Sequence, residues 1–101
     1  MKSYKKIKSL EIAFDVLEYL AGQAREVSAS EIMLALDVPK ATLMSVLETM
    51  TDRKYVETIG TQYDLGIKLA SFWARRLAML ERRKEDAERE IQILNTAKTV
   101  S

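Results

Sequence analysis

Residues 67–95 contain neither Gly nor Pro and are dense in Ala, Leu, Arg and Glu. Nothing in such a stretch stops a helix once it has started. In a chain of 101 residues that helix takes more than a quarter of the length, so any core must come from residues 1–66. The chain therefore predicts one small domain with a helical appendage. Hydrophobic residues make up 48% and charged residues 31%, a foldable composition rather than a disordered one.

Several function classes drop out on composition. There is no Cys, which excludes disulfides, thiolate metal sites and Cys nucleophiles, and no His, the commonest general base and metal ligand. The three Gly form no phosphate-cradling loop of the G-x-x-x-x-G-K type. No catalytic residue, metal site or cofactor is expected, because an enzyme here would rest on carboxylates and Lys alone. No apolar run approaches the roughly 18 residues of a membrane span. The basic start MKSYKKIKSL lacks the apolar core of a secretion signal, so the expected location is cytoplasmic and no membrane partner is expected.

The net charge of +1 is unevenly spread. Residues 1–74 carry nine bases against ten acids, and residues 75–101 carry seven against five. The basic signal is local: Lys2, Lys5, Lys6 and Lys8 with no acid among them, then Arg75-Arg76 and Arg82-Arg83-Lys84. Solvated termini and helix faces account for such runs as readily as a partner does.

Ser9 is a candidate cap for a first helix with apolar residues Leu10, Ala13, Phe14, Val16, Leu17, Tyr19 and Leu20, ended by a left-handed Gly22. Val27 is placed to start a short strand. Ser28 and Glu31 have the spacing of a capping box for a short helix that turns Ile32, Met33, Ala35 and Leu36 inward. After Asp37-Val38, Pro39 suits the first position of a third helix, 39–52, with Leu43, Val46, Leu47 and Met50 inside. Tyr55–Ile59 and Gln62–Leu65 read as strands joined by a Gly-first turn at Gly60-Thr61, and Gly66 ends the second. The order predicts a mainly α fold with a small β-hairpin: a winged helix-turn-helix over 9–66, followed by the long helix 67–95. Residues 1–8 form a basic arm, and 96–101 should fray.

The stretches Ser9-Leu10-Glu11 through Asp15-Val16-Leu17-Glu18-Tyr19-Leu20, Val27-Ser28-Ala29-Ser30-Glu31-Ile32, Val38-Pro39-Lys40-Ala41-Thr42-Leu43, Leu47-Glu48-Thr49-Met50, Tyr55-Val56-Glu57 and Tyr63-Asp64-Leu65-Gly66 occur in order. Together they resemble the DNA-binding domain of IclR-type transcriptional regulators, from about Lys8 to Trp73. The resemblance implies a winged helix-turn-helix that binds double-stranded DNA as a dimer. The family usually has a basic or aromatic pair where this chain has Met44-Ser45, and Gly where it has Lys54. It also normally continues into a ligand-binding domain. Since the sequence stops at Ser101, the expectation is a regulator without one and without a small-molecule effector.

On the recognition helix, Lys40 sits where helix N–H groups favour phosphate. Thr42, Ser45 and Thr49 offer hydroxyls, and Ala41 and Met44 offer apolar contact to thymine methyls. No Arg, Asn or Gln is available there for bidentate base contacts, which implies modest discrimination or shape readout. Ser28 is first a cap and second a phosphate contact. Lys5, Lys6 and Lys8 suit an arm along the backbone or minor groove. Thr61 and Gln62, with Thr58, mark an uncharged wing tip. Phe72 and Trp73 suit core or dimer packing better than base stacking.

A heptad frame from Ala70 places Trp73, Leu77, Leu80, Lys84, Ala87, Ile91 and Leu94 on one seam, with Lys84 its polar defect. In a parallel pair, Arg76 would meet the Glu81 of the other copy, and Arg83 the Glu88. A homodimer through this coiled coil is expected. The first helix, with Phe14, is the other candidate interface. Against a DNA-binding regulator stands a winged-helix protein-interaction or architectural module with little sequence specificity, consistent with the neutral charge of residues 1–74.

Overall fold

The computed structural model describes residues 3–100, with side chains through Lys98. The chain is 70% helical, with a small three-stranded antiparallel sheet and a long C-terminal helix. In order come α1 (Lys8–Ala21), β1 (Val27–Ser28), α2 (Ala29–Leu36), α3 (Lys40–Asp52), β2 (Val56–Ile59), β3 (Gln62–Leu65) and α4 (Ile67–Val100). Two compact units result, one through Leu69 and the other from Ala70.

Helix α1 starts a residue before Ser9. Ile7 is its N-cap, no side chain caps it, and the Ile7 carbonyl accepts from the Glu11 N–H at 3.1 Å. Residues 7–10 are all exposed, so water can satisfy the free donors of the first turn. Gly22 ends the helix without the expected left-handed conformation: its φ is −86°. Its N–H instead donates to the Glu18 and Tyr19 carbonyls, and the Gln23 side-chain amide donates to Tyr19 O at 3.2 Å.

The inward face of α1 is also corrected. Ile12 (5% exposed), Val16 and Leu20, each four residues on from the last, point into the core. Leu10 and Phe14 are 50% and 56% exposed. The helix carries two apolar stripes, and burial selects the one that meets α2 and α3.

At α2 the Ser28 hydroxyl accepts from the Glu31 N–H at 3.2 Å, so half of the capping box forms. The Glu31 carboxylate does not reach back. Both its oxygens accept from the Arg25 guanidinium at 3.3 Å. The hydrogen bond from Arg25 to Glu31 and the charge of that carboxylate raise the Arg25 pKa above its ordinary value. Ile32 is buried and Met33 and Leu36 half-buried, but Ala35 is exposed, as is Leu34. Asp37 closes the helix in the left-handed region at φ 52°.

Pro39 proves to be the N-cap of α3 rather than its first residue, with ψ 145°, and its carbonyl accepts from the Leu43 N–H at 3.0 Å. Leu43, Val46, Leu47 and Met50 are buried as the period requires.

The sheet order is β1-β3-β2. Strand β3 is thus central, pairing Ser28 with Gln62 on one side and Ile59 with Gln62 on the other. Gly60 takes φ 64° in the connecting turn, as a Gly-first turn demands. Tyr55 falls just outside β2, because its N–H closes the end of α3 on Met50 O at 3.0 Å.

The core is Ile12, Val16, Leu20, Val27, Ile32, Leu43, Val46, Leu47, Met50 and Val56. Burying each such side chain is worth about 1.5–3 kcal/mol. Two backbone positions hold the hairpin to this core. Lys54 is left-handed at φ 69°, and its carbonyl accepts from the Lys68 N–H at 3.1 Å. Gly66 packs against that same carbonyl so closely that a Cβ there would overlap it, while its N–H donates to Tyr55 O at 2.9 Å.

Helix α4 continues to Val100 instead of fraying at Thr96, whose hydroxyl donates to Gln92 O at 2.9 Å. No Gly or Pro stands at 96–100 to stop it.

Candidate nucleic-acid interface

The outward face of α3 follows from its inward one. With Leu43, Val46, Leu47 and Met50 buried, the helical period turns Lys40, Ala41, Met44, Ser45 and Thr49 to solvent, and all five are exposed. Thr42, expected on that face, lies at its margin and is half-buried. The first turn of α3 has no side-chain cap, which leaves its N–H groups open to an incoming anion beside Lys40.

The hydroxyls are not equivalent. Thr49 Oγ1 donates to the Ser45 carbonyl at 2.9 Å, so its proton is committed within the helix. Ser45 and Thr49 line a shallow groove shared with Leu10 and Ala13 of α1. Met44 lines a separate groove between α3 and the hairpin, with Glu48, Asp52, Thr58 and Tyr63. Thr51, on that same wall, has a buried hydroxyl with no hydrogen-bond partner among the described residues.

The remaining expected contacts are dispersed. Lys5 and Lys6 are exposed and precede α1, whereas Lys8 is the first residue of α1 and not part of a free arm. Lys2 lies outside the described residues. Ser28 is half-buried and occupied as a cap. Thr61 is exposed at the turn, but Gln62 belongs to the central strand and is half-buried, so it is not a wing-tip residue. Thr58 is exposed on β2.

Two residues of the α3 face escaped the sequence reading. Glu48 and Asp52 are exposed, at three and seven residues beyond Ser45. That spacing is itself the signal that could have found them.

Within α4, the seam residues Ala70, Trp73, Leu77, Leu80, Lys84, Ala87, Ile91 and Leu94 are all exposed, Trp73 at 73%. Phe72 is exposed too, and so is not a core residue. Among the described residues no helix is long and apolar enough to cross a membrane, and no cluster of carboxylates is suited to hold a metal ion.

Three helices, the tight α2–α3 turn and the hairpin define a winged helix-turn-helix. Residues 9–60 match the IclR helix-turn-helix domain, and the chain belongs to that family. Among solved structures, an IclR-type transcriptional regulator from Alicyclobacillus acidocaldarius is similar at 29% identity and a TM-score of 0.65, over 71% of this chain and 30% of its own. The repressor BlcR of Agobacterium tumefaciens shares the fold at 24% identity and a TM-score of 0.61, over 68% of this chain and 28% of its own. An IclR family regulator from Brucella abortus does so at 17% identity and 0.63, over 77% and 31%. This chain thus spans about a third of the length of the solved regulators it matches. No significant match to a curated protein sequence was found.

Proposed function

We propose that this chain binds duplex DNA through α3 and serves a transcription regulator as its DNA-reading part. The observation that carries this is the exposed outer face of α3, with Lys40 at an uncapped helix start, in a domain matching the IclR helix-turn-helix family. Phosphates dock at Lys40 and the first-turn N–H groups, while Ala41, Met44 and Ser45 meet base edges in the major groove. The exposed Lys5 and Lys6 add backbone contacts.

We further propose that two copies bind together, joined along the exposed seam from Ala70 to Leu94. A small and nearly neutral reading face binds weakly alone, and linking two raises avidity by about 10²–10⁴. The exposed Phe14 on α1 is the alternative contact.

The test is titration of a random duplex pool at two salt concentrations, followed by sequencing of the bound fraction. Enrichment of a two-fold symmetric site is the expected result. Salt-sensitive binding without enrichment would make the domain architectural. Absence of binding would favour a protein-interaction module, for which the two carboxylates on the outer face, Glu48 and Asp52, are the specific support.

A further inference from the structure

We propose that Glu48 is a specificity-determining residue of α3, accepting a hydrogen bond from the exocyclic amine of a cytosine in the major groove. This rests on the DNA-binding role proposed above.

Ala41, Ser45, Glu48 and Asp52 are all exposed and follow one another at four-, three- and four-residue steps, so they form one outward line along α3. Glu48 lies on this line one turn beyond Ser45. Its carboxylate makes no hydrogen bond or ion pair among the described residues. The groove it borders is lined by Met44, Leu47, Thr51, Asp52, Thr58 and Tyr63, with no Lys or Arg to neutralise it.

A free anion on a surface that meets phosphates costs affinity at every sequence. That cost falls only where the carboxylate finds a donor, and the donors on base edges in the major groove are cytosine N4 and adenine N6. Adenine sets its N7 acceptor beside N6, and an ionised carboxylate that accepts from N6 has no proton to give N7. Cytosine presents the amine alone. Glu48 therefore penalises most sequences and spares those with cytosine at one position in each half-site. Met44, one turn earlier, supplies an apolar neighbour suited to an adjacent thymine methyl.

The experiment compares the full chain with Glu48→Ala and Glu48→Gln in selections from a random duplex pool, with competition titrations on the selected site. Glu48 is exposed, so both variants should fold, and their helical circular dichroism should match that of the parent. The parent should enrich cytosine at one position per half-site and lose about 5- to 150-fold in affinity when that base is changed. Glu48→Ala should erase the preference there while binding unrelated DNA as tightly as the parent or tighter. Glu48→Gln should move the preference toward adenine, whose N6 and N7 match an amide. The proposal is overturned if the parent selects a site without such a cytosine. It is equally overturned if the variants keep the parent's preference, or if Glu48→Ala strengthens binding to every sequence by the same factor. A parent that binds no duplex at all would instead remove the DNA-binding role, and this proposal with it.

Discussion

Lys54 and Gly66 meet where α3 hands over to the hairpin and the hairpin to α4. Lys54 holds φ 69°, a conformation that costs a residue with a Cβ about 1–2 kcal/mol. Lys54→Gly should therefore raise stability by about 0.5–1 kcal/mol, the relief of strain being partly offset by the looser unfolded chain. A urea midpoint that rises with an unchanged slope would confirm it; a fall would mean the Lys54 side chain stabilises the junction. Gly66→Ala should act in the opposite direction. Its Cβ would run into the Lys54 carbonyl, which is backbone already bonded to the Lys68 N–H, so the expected loss is about 1–3 kcal/mol. The chain's use of Lys where its family usually has Gly marks a position at which the backbone demand is visible and the side chain does not serve it.

At the scale of elements, what could be read from the sequence depended on how many apolar faces each helix carries. Helix α3 has one, so Leu43, Val46, Leu47 and Met50 were legible as core and Ala41, Met44 and Ser45 as the outer face. Helix α1 has two, and periodicity alone cannot choose between Leu10-Phe14 and Ile12-Val16-Leu20. Only the contact with α2 and α3 decides. The Gly-first turn was legible because it needs a single residue type at a single place. Glu48 and Asp52 are not legible from runs or totals of charge, because their meaning comes from their place on a helix face. The same element scale gives a test of α4. Leu77→Glu with Leu80→Glu puts two like charges per copy into the proposed seam, so it should convert a dimer into a monomer in sedimentation at micromolar concentration. The winged helix should remain folded, since neither residue belongs to its core. A parent chain that already sediments as a monomer would remove the coiled coil.

Across the whole molecule, a net charge of +1 leaves little general attraction to a polyanion, so affinity has to come from a few placed cations. Each phosphate contact contributes about 0.9 to the slope of log affinity against log salt. Lys5→Ala with Lys6→Ala should then flatten that slope by up to about 2 and weaken binding at all sequences alike. An unchanged slope would show that these two residues stay in solvent when DNA is bound.

The turn at Gly60-Thr61 has one more implication, for how a protein of this kind can change over generations. It is closed by the Ile59–Gln62 pair, and apart from Gly60 and its two chain neighbours no atom of the described residues lies within 4 Å of where a Gly60 Cβ would be. Register is kept from the other side, by the pairing of β3 with the segment that caps α2. Residues inserted at the tip would meet no packed neighbour and cost only loop entropy, about 0.6 kcal/mol for each doubling of length. The hairpin can therefore grow, acquire basic residues and reach new stretches of duplex while the helix beside it keeps its aim. Variation in target choice has an inexpensive route here that leaves the hydrophobic interior untouched.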